Sequence, residues 1–376
     1  MAGMEYSEKP RILVAPLDWG LGHATRCIPL IRLLIINNCH VIIAAESKIK
    51  KLLLREFPKE DFIELKGYRI RYSGRKWKMP FTIASQVPQI LNAIKEEQFW
   101  LENAAQEFGF DGIISDNRYG LYHSSIPSVF ITHQLYIKTP LGSIAGNILQ
   151  KLNYSYIEKF HSCWVPDLEG SYNLAGKLSH PEYHPEIPIE YINPVSRFAY
   201  KESNDENYIL ISLSGPEPAR TSFEKIILKE TGNIKNKIIL VRGIPGSAEQ
   251  IRVPSNIEVH DHLPANELEE KMLKASYVIA RSGYSTVMDL YHLKKKSILV
   301  PTPGQPEQEY LADHLMRNNF ALCIAQEKFR LKQAIDLAIS FNYKLPGHVS
   351  NEPAQNAIMK FIDDVKKAKK KKQQLS

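Results

Sequence analysis

Residues 280–312 read ARSGYSTVMDLYHLKKKSILVPTPGQPEQEYLA. The apolar run Tyr277–Ala280 leads into this stretch as a strand that stops at Ala280. A turn of small residues, Ser282, Gly283, Ser285 and Thr286, opens a helix that continues to Leu293. A second apolar run, Ser297–Pro301, follows, and helical spacing resumes from about Gln308 to Arg317. Strand, helix, strand and helix, with nearly continuous apolar strands, is the pattern of a parallel sheet covered on both faces. The free amides and positive dipole end of a helix start suit a phosphate group. Small residues let such a group approach the backbone. Asp289 falls one turn into the helix, where a carboxylate can accept hydrogen bonds from ribose hydroxyls. A plainly capped helix has the same local features, so this stretch alone leaves both readings open.

The same alternation extends in both directions. Upstream lie the strands Tyr208–Leu213, Lys237–Val241 and Ile257–His260, with a helix near 221–230. The first half repeats the class of pattern. Its strands are Ile12–Pro16, His40–Ala45, Gly112–Ser115, Ser128–Thr132 and Cys163–Val165, and its helices run to about Ile36 and from about Ile83 to Phe108. Between the halves, Pro181, Pro185, Pro188 and Pro194 precede the polar run KESNDEN (201–207). Prolines deny ladder donors, so this segment reads as a connection. The expected organisation is α/β, with Rossmann-like units over 1–185 and 207–350, a linker over 186–206, and a final helix with a basic tail over 351–376. Two such units create a cleft, a common place for ligands.

Composition narrows the class. The chain has 376 residues, 44% of them hydrophobic and 24% charged, which excludes wholesale disorder. Six of the seven net positive charges sit in the last eleven residues, on Lys366, Lys367, Lys369, Lys370, Lys371 and Lys372. The body is therefore nearly neutral and not a general nucleic-acid binder. The lysine tract reads as low-complexity and disordered. Cys27, Cys39, Cys163 and Cys323 are dispersed and form no C-x-x-C, which points to reduced thiols in a cytoplasm and away from a disulfide scaffold or a cysteine zinc site. The apolar run 12–17 is too short for a signal peptide, and no stretch reaches the roughly 18 apolar residues of a spanning helix. Residues 139–150 are uncharged but carry Pro140, Gly142 and Gly146. The expected location is cytoplasmic, with attachment to the inner face of the membrane left open.

Taken together, R-S-G-x-x-T-V-x-D at 281–289, an apolar strand ending in Pro301 and a glutamine-bearing helix start resemble the nucleotide-sugar site of GT-B glycosyltransferases. They resemble in particular the MurG type, which transfers N-acetylglucosamine from UDP-N-acetylglucosamine to a lipid-linked acceptor. The resemblance implies a GT-B fold, two Rossmann-like domains facing across a cleft, with the acceptor in the first and the donor in the second. It implies that Asp289 binds ribose, that Ser282, Gly283, Ser285 and Thr286 face the diphosphate beside Arg281, and that Gln305 and Gln308 meet the donor sugar. Asp289 stands where the family has Glu, and Leu311–Ala312 where it often has Asn-Ala. Ser214–Arg220 (SGPEPAR) resembles the family's G-G-S-x-G-A-R loop, which assigns Ser214, Gly215 and Arg220 to the diphosphate. An arginine offers a fixed fork of donors to phosphate, although SGPEP alone is an ordinary turn. Val259–Leu263 (VHDHL) resembles the segment beside the uracil pocket and brings in His260 and Leu263, His260 being a packing residue on the plainer reading. Retaining GT-B enzymes often carry E-x7-E here. Arg281 and Asp289 hold those two positions, which implies inversion.

The first half contributes Gly20-Leu21-Gly22-His23-Ala24-Thr25-Arg26. It lacks the third glycine of a dinucleotide fingerprint. His23 at a helix start is a candidate base, since an imidazole accepts a proton near neutral pH. A structural histidine is the alternative. Asp116, closing the strand before Asn117 and Arg118, is a second candidate base, or else an Asx turn or an ion pair with Arg118. Gly20, Gly22, Arg118, His133 and Gln134 resemble acceptor-side positions. Residues 66–81 hold six Lys or Arg interleaved with Tyr68, Tyr72, Trp77 and Phe81. With the lysine tail they form a candidate membrane-surface patch. The expected partners are a nucleotide-sugar donor, which is a substrate and not a cofactor, and a glycan or lipid-linked acceptor, with no nucleic acid and no metal. Two alternatives stay open: a UDP-sugar 2-epimerase of the same fold, and a nucleotide-sugar-binding protein without turnover.

Overall fold

A computed structural model describes residues 9–68, 79–138, 142–244 and 251–375. In the first half, β1 (Arg11–Pro16), α1 (Leu21–Ile36), β2 (His40–Ala44), α2 (Ser47–Glu56), β3 (Asp61–Ile63), α3 (Met79–Phe108), β4 (Gly112–Asp116), β5 (Ser128–Ile131), α4 (Gly142–Ile157), β6 (Ser162–Val165) and β7 (Ile189–Tyr191) follow in order. The second half runs β8 (Tyr208–Ser212), α5 (Ala219–Glu230), β9 (Lys237–Val241), β10 (Ile257–His260), α6 (Ala265–Lys274), β11 (Tyr277–Ala280), α7 (Tyr284–His292), β12 (Ser297–Leu299), α8 (Pro306–Arg317), β13 (Leu322–Cys323), α9 (Leu331–Ser340) and α10 (Glu352–Leu375).

The first sheet has the order β3-β2-β1-β4-β5-β6-β7 and the second β10-β9-β8-β11-β12-β13, all parallel. The strands are buried from both sides, as in Ile12–Ala15 and Ile209–Ile211, which is why they read as unbroken apolar runs. In each sheet the order reverses once, between β1 and β4 and between β8 and β11. At such a reversal the chain leaves neighbouring strand ends in opposite directions and opens a crevice. The residues at those four strand ends are Gly20–His23, Asp116–Arg118, Ser214–Arg220 and Ser282–Thr286.

One apolar cluster runs through both halves, joining Ala24 and Ile28 of α1 to Val287 and Met288 of α7 and to Ile358 and Phe361 of α10. Ala354, Ala357, Ile358, Phe361, Ile362 and Val365 are spaced three and four apart and form the buried stripe of α10. Phe361 meets Trp164 of β6 edge to face at 5.9 Å, so the last helix crosses back to the first sheet.

Two sequence expectations need correction. The segment 186–206 is not wholly a connection, because Ile189–Tyr191 adds a parallel strand to β6. It is an edge strand, a position that tolerates Pro188 just before it. The lysine tract is not disordered, because α10 stays helical to Leu375. Val365 is fully buried and Lys369 pairs with Asp111 at 3.1 Å, which holds the helix as it enters the tract. Lysines at a helix C-terminus also complement the dipole.

Candidate active site

Gly20 precedes α1 with φ of 126°, a value that L side chains rarely adopt, and turns the chain from β1 into the helix. His23 lies in the first helical turn. Its Nδ1 is 3.0 Å from Oδ2 of Asp116, the last residue of the adjacent strand β4. Arg26, one turn on, donates from Nε to Asp116 Oδ1 at 2.9 Å and from Nη2 to the same oxygen. Asp116 is fully buried, and Cys27 Sγ lies 3.7 Å from its Oδ2. Burial alone would raise the Asp116 pKa. The Arg26 charge, His23 and the hydrogen bonds outweigh it and hold the carboxyl below its ordinary range. Asp116 is thus a standing carboxylate and a poor proton acceptor. His23 is displaced downward, by burial first and then by Arg26, against the opposing pull of Asp116. Its ring is therefore neutral at neutral pH. The two residues, read from the sequence as alternative bases, form one pair.

The first domain meets the second at this pair. His133, after β5, places Nε2 2.9 Å from Glu307 Oε1 in the first turn of α8. The His133 ring stacks on Tyr284 of α7, with centroids 4.2 Å apart and planes within 5°. Tyr284 in turn donates its hydroxyl to Pro166 O at 2.8 Å. Burial would raise the Glu307 pKa, but the hydrogen bond and charge of His133 bring it below the usual value. Gly22 lies so close to Ser285 that a β-carbon there would stand 2.5 Å from the Ser285 Oγ. Helices α1 and α7 therefore abut by their N-termini. Neither has a side-chain cap or an acidic residue in its first turn. Two positive helix ends converge beside His23, a favourable field for an anion.

Within the second domain, Asp289 accepts a hydrogen bond from Ser196 Oγ at 2.5 Å. Burial pushes its pKa up to about 6, against Arg197 and Ser196, while Glu269 adds to the rise. The Arg197 Nε is buried and without a hydrogen-bond partner among the described residues. That orphaned donor beside Asp289 is a candidate ligand contact that the proline-rich segment gave no reason to single out. At the start of α8, Gln308 donates to Gln305 Oε1 at 2.5 Å and accepts from Thr302 N at 2.9 Å, so the two glutamines act as a unit. Ser214 and Gly215 lie in an exposed loop after β8, with Gly215 at φ 106°.

Several residues expected at the ligand surface are turned inward. Arg281 donates to Val300 O, Pro301 O, Ala219 O and Gln326 Oε1 and covers the Phe223 ring at 4.4 Å, which joins the sheet to α5. Burial lowers its pKa to about 10. Arg220 reaches Glu217, Glu224 and the carbonyl of Arg242, and Glu224 also binds Arg242. This buried charge network leaves the Arg220 guanidinium occupied. The Ser282 hydroxyl is buried and donates to Gln308 O at 2.9 Å. Leu263 belongs to the apolar core, and His260 pairs with Glu258 at 2.6 Å. On the acceptor side, Arg118 is buried and donates to Pro16 O, Lys66 O and Glu97, tying together the end of β1, the segment after β3 and helix α3. It makes no pair with Asp116; that partner is Arg26. His133 faces the second domain, and the half-buried Gln134 follows it.

The described start of the first basic segment, residues 66–68, and the lysine tail lie at opposite ends of the first sheet. Arg118 and Tyr119 hold residues 66–68 at the C-terminal end of the first sheet, whereas Lys369 sits beside Asp111 at the opposite end of β4. Residues 69–78, including Trp77 and Lys78, lie outside the described residues.

Comparison with known proteins agrees with this architecture. Residues 224–370 match the glycosyltransferase family 28 C-terminal domain. No curated protein matches the chain. Among solved structures, the glycosyltransferase of kitacinnamycin is similar over 96% of both chains, with 15% identity and a TM-score of 0.63. Spinosyn rhamnosyltransferase SpnG, solved with thymidine diphosphate, is similar over 95% of this chain and 96% of its own, at 13% identity and a TM-score of 0.60. MurG of Acinetobacter baumannii covers 94% of this chain and 95% of its own, at 14% identity and a TM-score of 0.52. The fold is GT-B: two parallel-sheet α/β domains facing across a cleft.

Proposed function

We propose that this protein is an inverting glycosyltransferase that moves a sugar from a nucleoside-diphosphate sugar to a hydroxyl acceptor, with His23 as the base. The carrying observation is the His23–Asp116 pair, set at the first sheet's crevice against the N-terminus of α7. The family 28 match over 224–370 and the nucleoside diphosphate in the SpnG complex support a nucleotide-sugar in the second domain. The likeness of the 281–289 motif to the MurG type favours a UDP-sugar, with UDP-N-acetylglucosamine as the first candidate.

In this reading the diphosphate lies against the amides of Gly283, Tyr284 and Ser285, beside Thr286, with Asp289 and Arg197 toward the nucleoside and Gln305 and Gln308 toward the sugar. The acceptor enters from the side of Gly20, Gly22 and Gln134. Its hydroxyl passes a proton to His23 Nε2 while its oxygen attacks the anomeric carbon. The bond from that carbon to the diphosphate oxygen breaks, and the electron pair leaves with the diphosphate, which the helix ends stabilise. The proton stays on His23 as an imidazolium beside the Asp116 carboxylate. A cell-envelope glycan or a lipid-linked acceptor at a membrane surface extends the reading. The lysine-bearing end of α10 supports surface attachment, and no helix among the described residues is long and apolar enough to cross a membrane.

The test is release of nucleoside diphosphate from a panel of nucleotide-sugars, with and without pooled glycan and lipid-linked acceptors. Acceptor-dependent release with an inverted anomeric product is expected. Isomerisation of the donor without acceptor assigns an epimerase, and binding without conversion across the panel contradicts transfer.

A further inference from the structure

We propose that Arg26 is the positioning residue of this site: it sets the ring tautomer of His23, and His133 and Glu307 hold it in place from across the cleft. The inference rests on the reading of His23 as the base. A base must present a lone pair on Nε2, so its proton must sit on Nδ1.

Three acceptors compete for the two hydrogens of Arg26 Nη2. They are Asp116 Oδ1, His23 Nδ1 at 2.8 Å and, with the Asn117 amide turned so that its oxygen faces the guanidinium, that oxygen at 3.1 Å. The Asn117 amide is satisfied in this orientation, since its nitrogen then donates to Thr132 Oγ1 at 2.9 Å and Ile131 O at 3.2 Å. With both hydrogens on Asp116 and Asn117, His23 Nδ1 receives none. It carries its own proton, gives it to Asp116 Oδ2 at 3.0 Å, and leaves Nε2 open. A rotated guanidinium that donates to Nδ1 enforces the other tautomer, which is no base at Nε2.

The rotation of the fork is controlled at its other end. Arg26 Nη1 lies 3.3 Å from His133 Nδ1. His23 Nδ1 has a carboxylate to donate to, but His133 Nδ1 faces only this arginine, which has no acceptor to offer; His133 Nδ1 therefore accepts, and its proton is on Nε2, aimed at Glu307 Oε1. Stacking on Tyr284 fixes the plane of that ring. Glu307 and Tyr284 both belong to the second domain, so closure of the cleft orders the chain Glu307, His133, Arg26, Asp116, His23. The charged and titratable groups facing His23 are Arg26 of its own helix, Asp116 of β4, His133 after β5, and Glu307 of α8, while Cys27 meets the pair at Asp116 Oδ2.

The experiment is ¹⁵N-imidazole NMR of the full chain at pH 8, with the His23 signals assigned by their loss in His23→Gln, and with turnover and donor affinity measured beside it. The parent should show His23 protonated on Nδ1. Glu307→Ala and Arg26→Lys should produce a mixture or the Nε2–H form, with turnover about 10- to 100-fold lower and donor affinity unchanged. Glu307→Gln keeps an acceptor oxygen for His133 and should restore the parent tautomer. A parent ring protonated on Nε2, or an unchanged Nδ1–H ring in both Glu307→Ala and Arg26→Lys, overturns the proposal. If Arg26→Lys does not fold, Glu307→Ala decides, because Glu307 is 37% exposed. The spectrum needs no turnover, so this proposal and the transfer reading fail separately: the latter falls if His23→Gln retains parent rates.

Discussion

Gly22 and Ser285 touch across the cleft: a β-carbon on Gly22 would stand 2.5 Å from the Ser285 hydroxyl oxygen and 3.1 Å from its Cβ. The glycine is needed there for approach between two helices and not for an unusual backbone. Gly22→Ala should keep its fold and donor affinity but lose turnover, because the two helix ends can no longer meet around the diphosphate. Gly22→Ala with Ser285→Gly removes the clashing side chain and should recover most of that loss, giving a coupling well above the ~0.5 kcal/mol expected of independent sites. Equal turnover in the single and the double variant would show that the contact does not govern closure.

Asp289 carries two opposite predictions. Its folded pKa of about 6 exceeds the ordinary 3.8, so the folded state holds the proton more tightly than the unfolded state does. The ionised carboxyl therefore destabilises the fold. That penalty is absent below the unfolded value and complete above about pH 6. Asp289→Asn should raise Tm at pH 8 and change it little at pH 4. The same substitution should weaken nucleotide-sugar binding about 10- to 150-fold at pH 8, the worth of a charge-assisted hydrogen bond of roughly 1.5–3 kcal/mol. Unchanged donor affinity would remove Asp289 from the ribose.

Much of this was legible in the sequence because parallel strands buried on both faces are written as short apolar runs, and because strand-end loops carry glycines and small residues. The loop Gly20–His23 and the turn Ser282–Thr286 stood out for those reasons. What the sequence could not show is which polar groups turn inward. Arg281 finds the carbonyl of Ala219, 62 residues away, and Arg118 finds that of Pro16, 102 residues away. His23 and Asp116 looked like rivals because 93 residues separate them. Arg26 was visible only as a residue that was not glycine, although its place three residues after His23 puts both on one helix face. Helix α4 was hidden because Pro140, Gly142 and Gly146 broke the apolar pattern, yet Gly142 is simply its first residue.

The lysine end of α10 gives a prediction independent of catalysis. Lys366, Lys370, Lys371 and Lys372 have no ion-pair partner among the described residues, and Lys369 places them at the far end of the first sheet from Asp116. Replacing those four by Gln should weaken sedimentation with anionic vesicles at low salt, by up to about 1 kcal/mol per charge. Transfer to a soluble acceptor should be unaffected. A parent protein that ignores anionic vesicles would remove the support for a membrane-bound acceptor from this helix.

The central claim is that His23 takes the acceptor proton while Asp116 stays ionised behind it. Asp116→Asn is an unsuitable probe, because it leaves the buried Arg26 charge uncompensated at a cost of about 3–5 kcal/mol. His23 is only 17% exposed but carries no such burden. The decisive measurement is single-turnover transfer by His23→Ala beside the parent across pH 5 to 9, with donor affinity determined on the same samples. The account predicts a loss of about 10²–10⁴ in rate with donor affinity retained. It also predicts a parent profile whose acidic limb lies below the ordinary imidazole value of 6.5, because burial and Arg26 disfavour the charged ring, and loss of that limb in the variant. A His23→Ala protein that transfers sugar at the parent rate with the parent pH profile would contradict it.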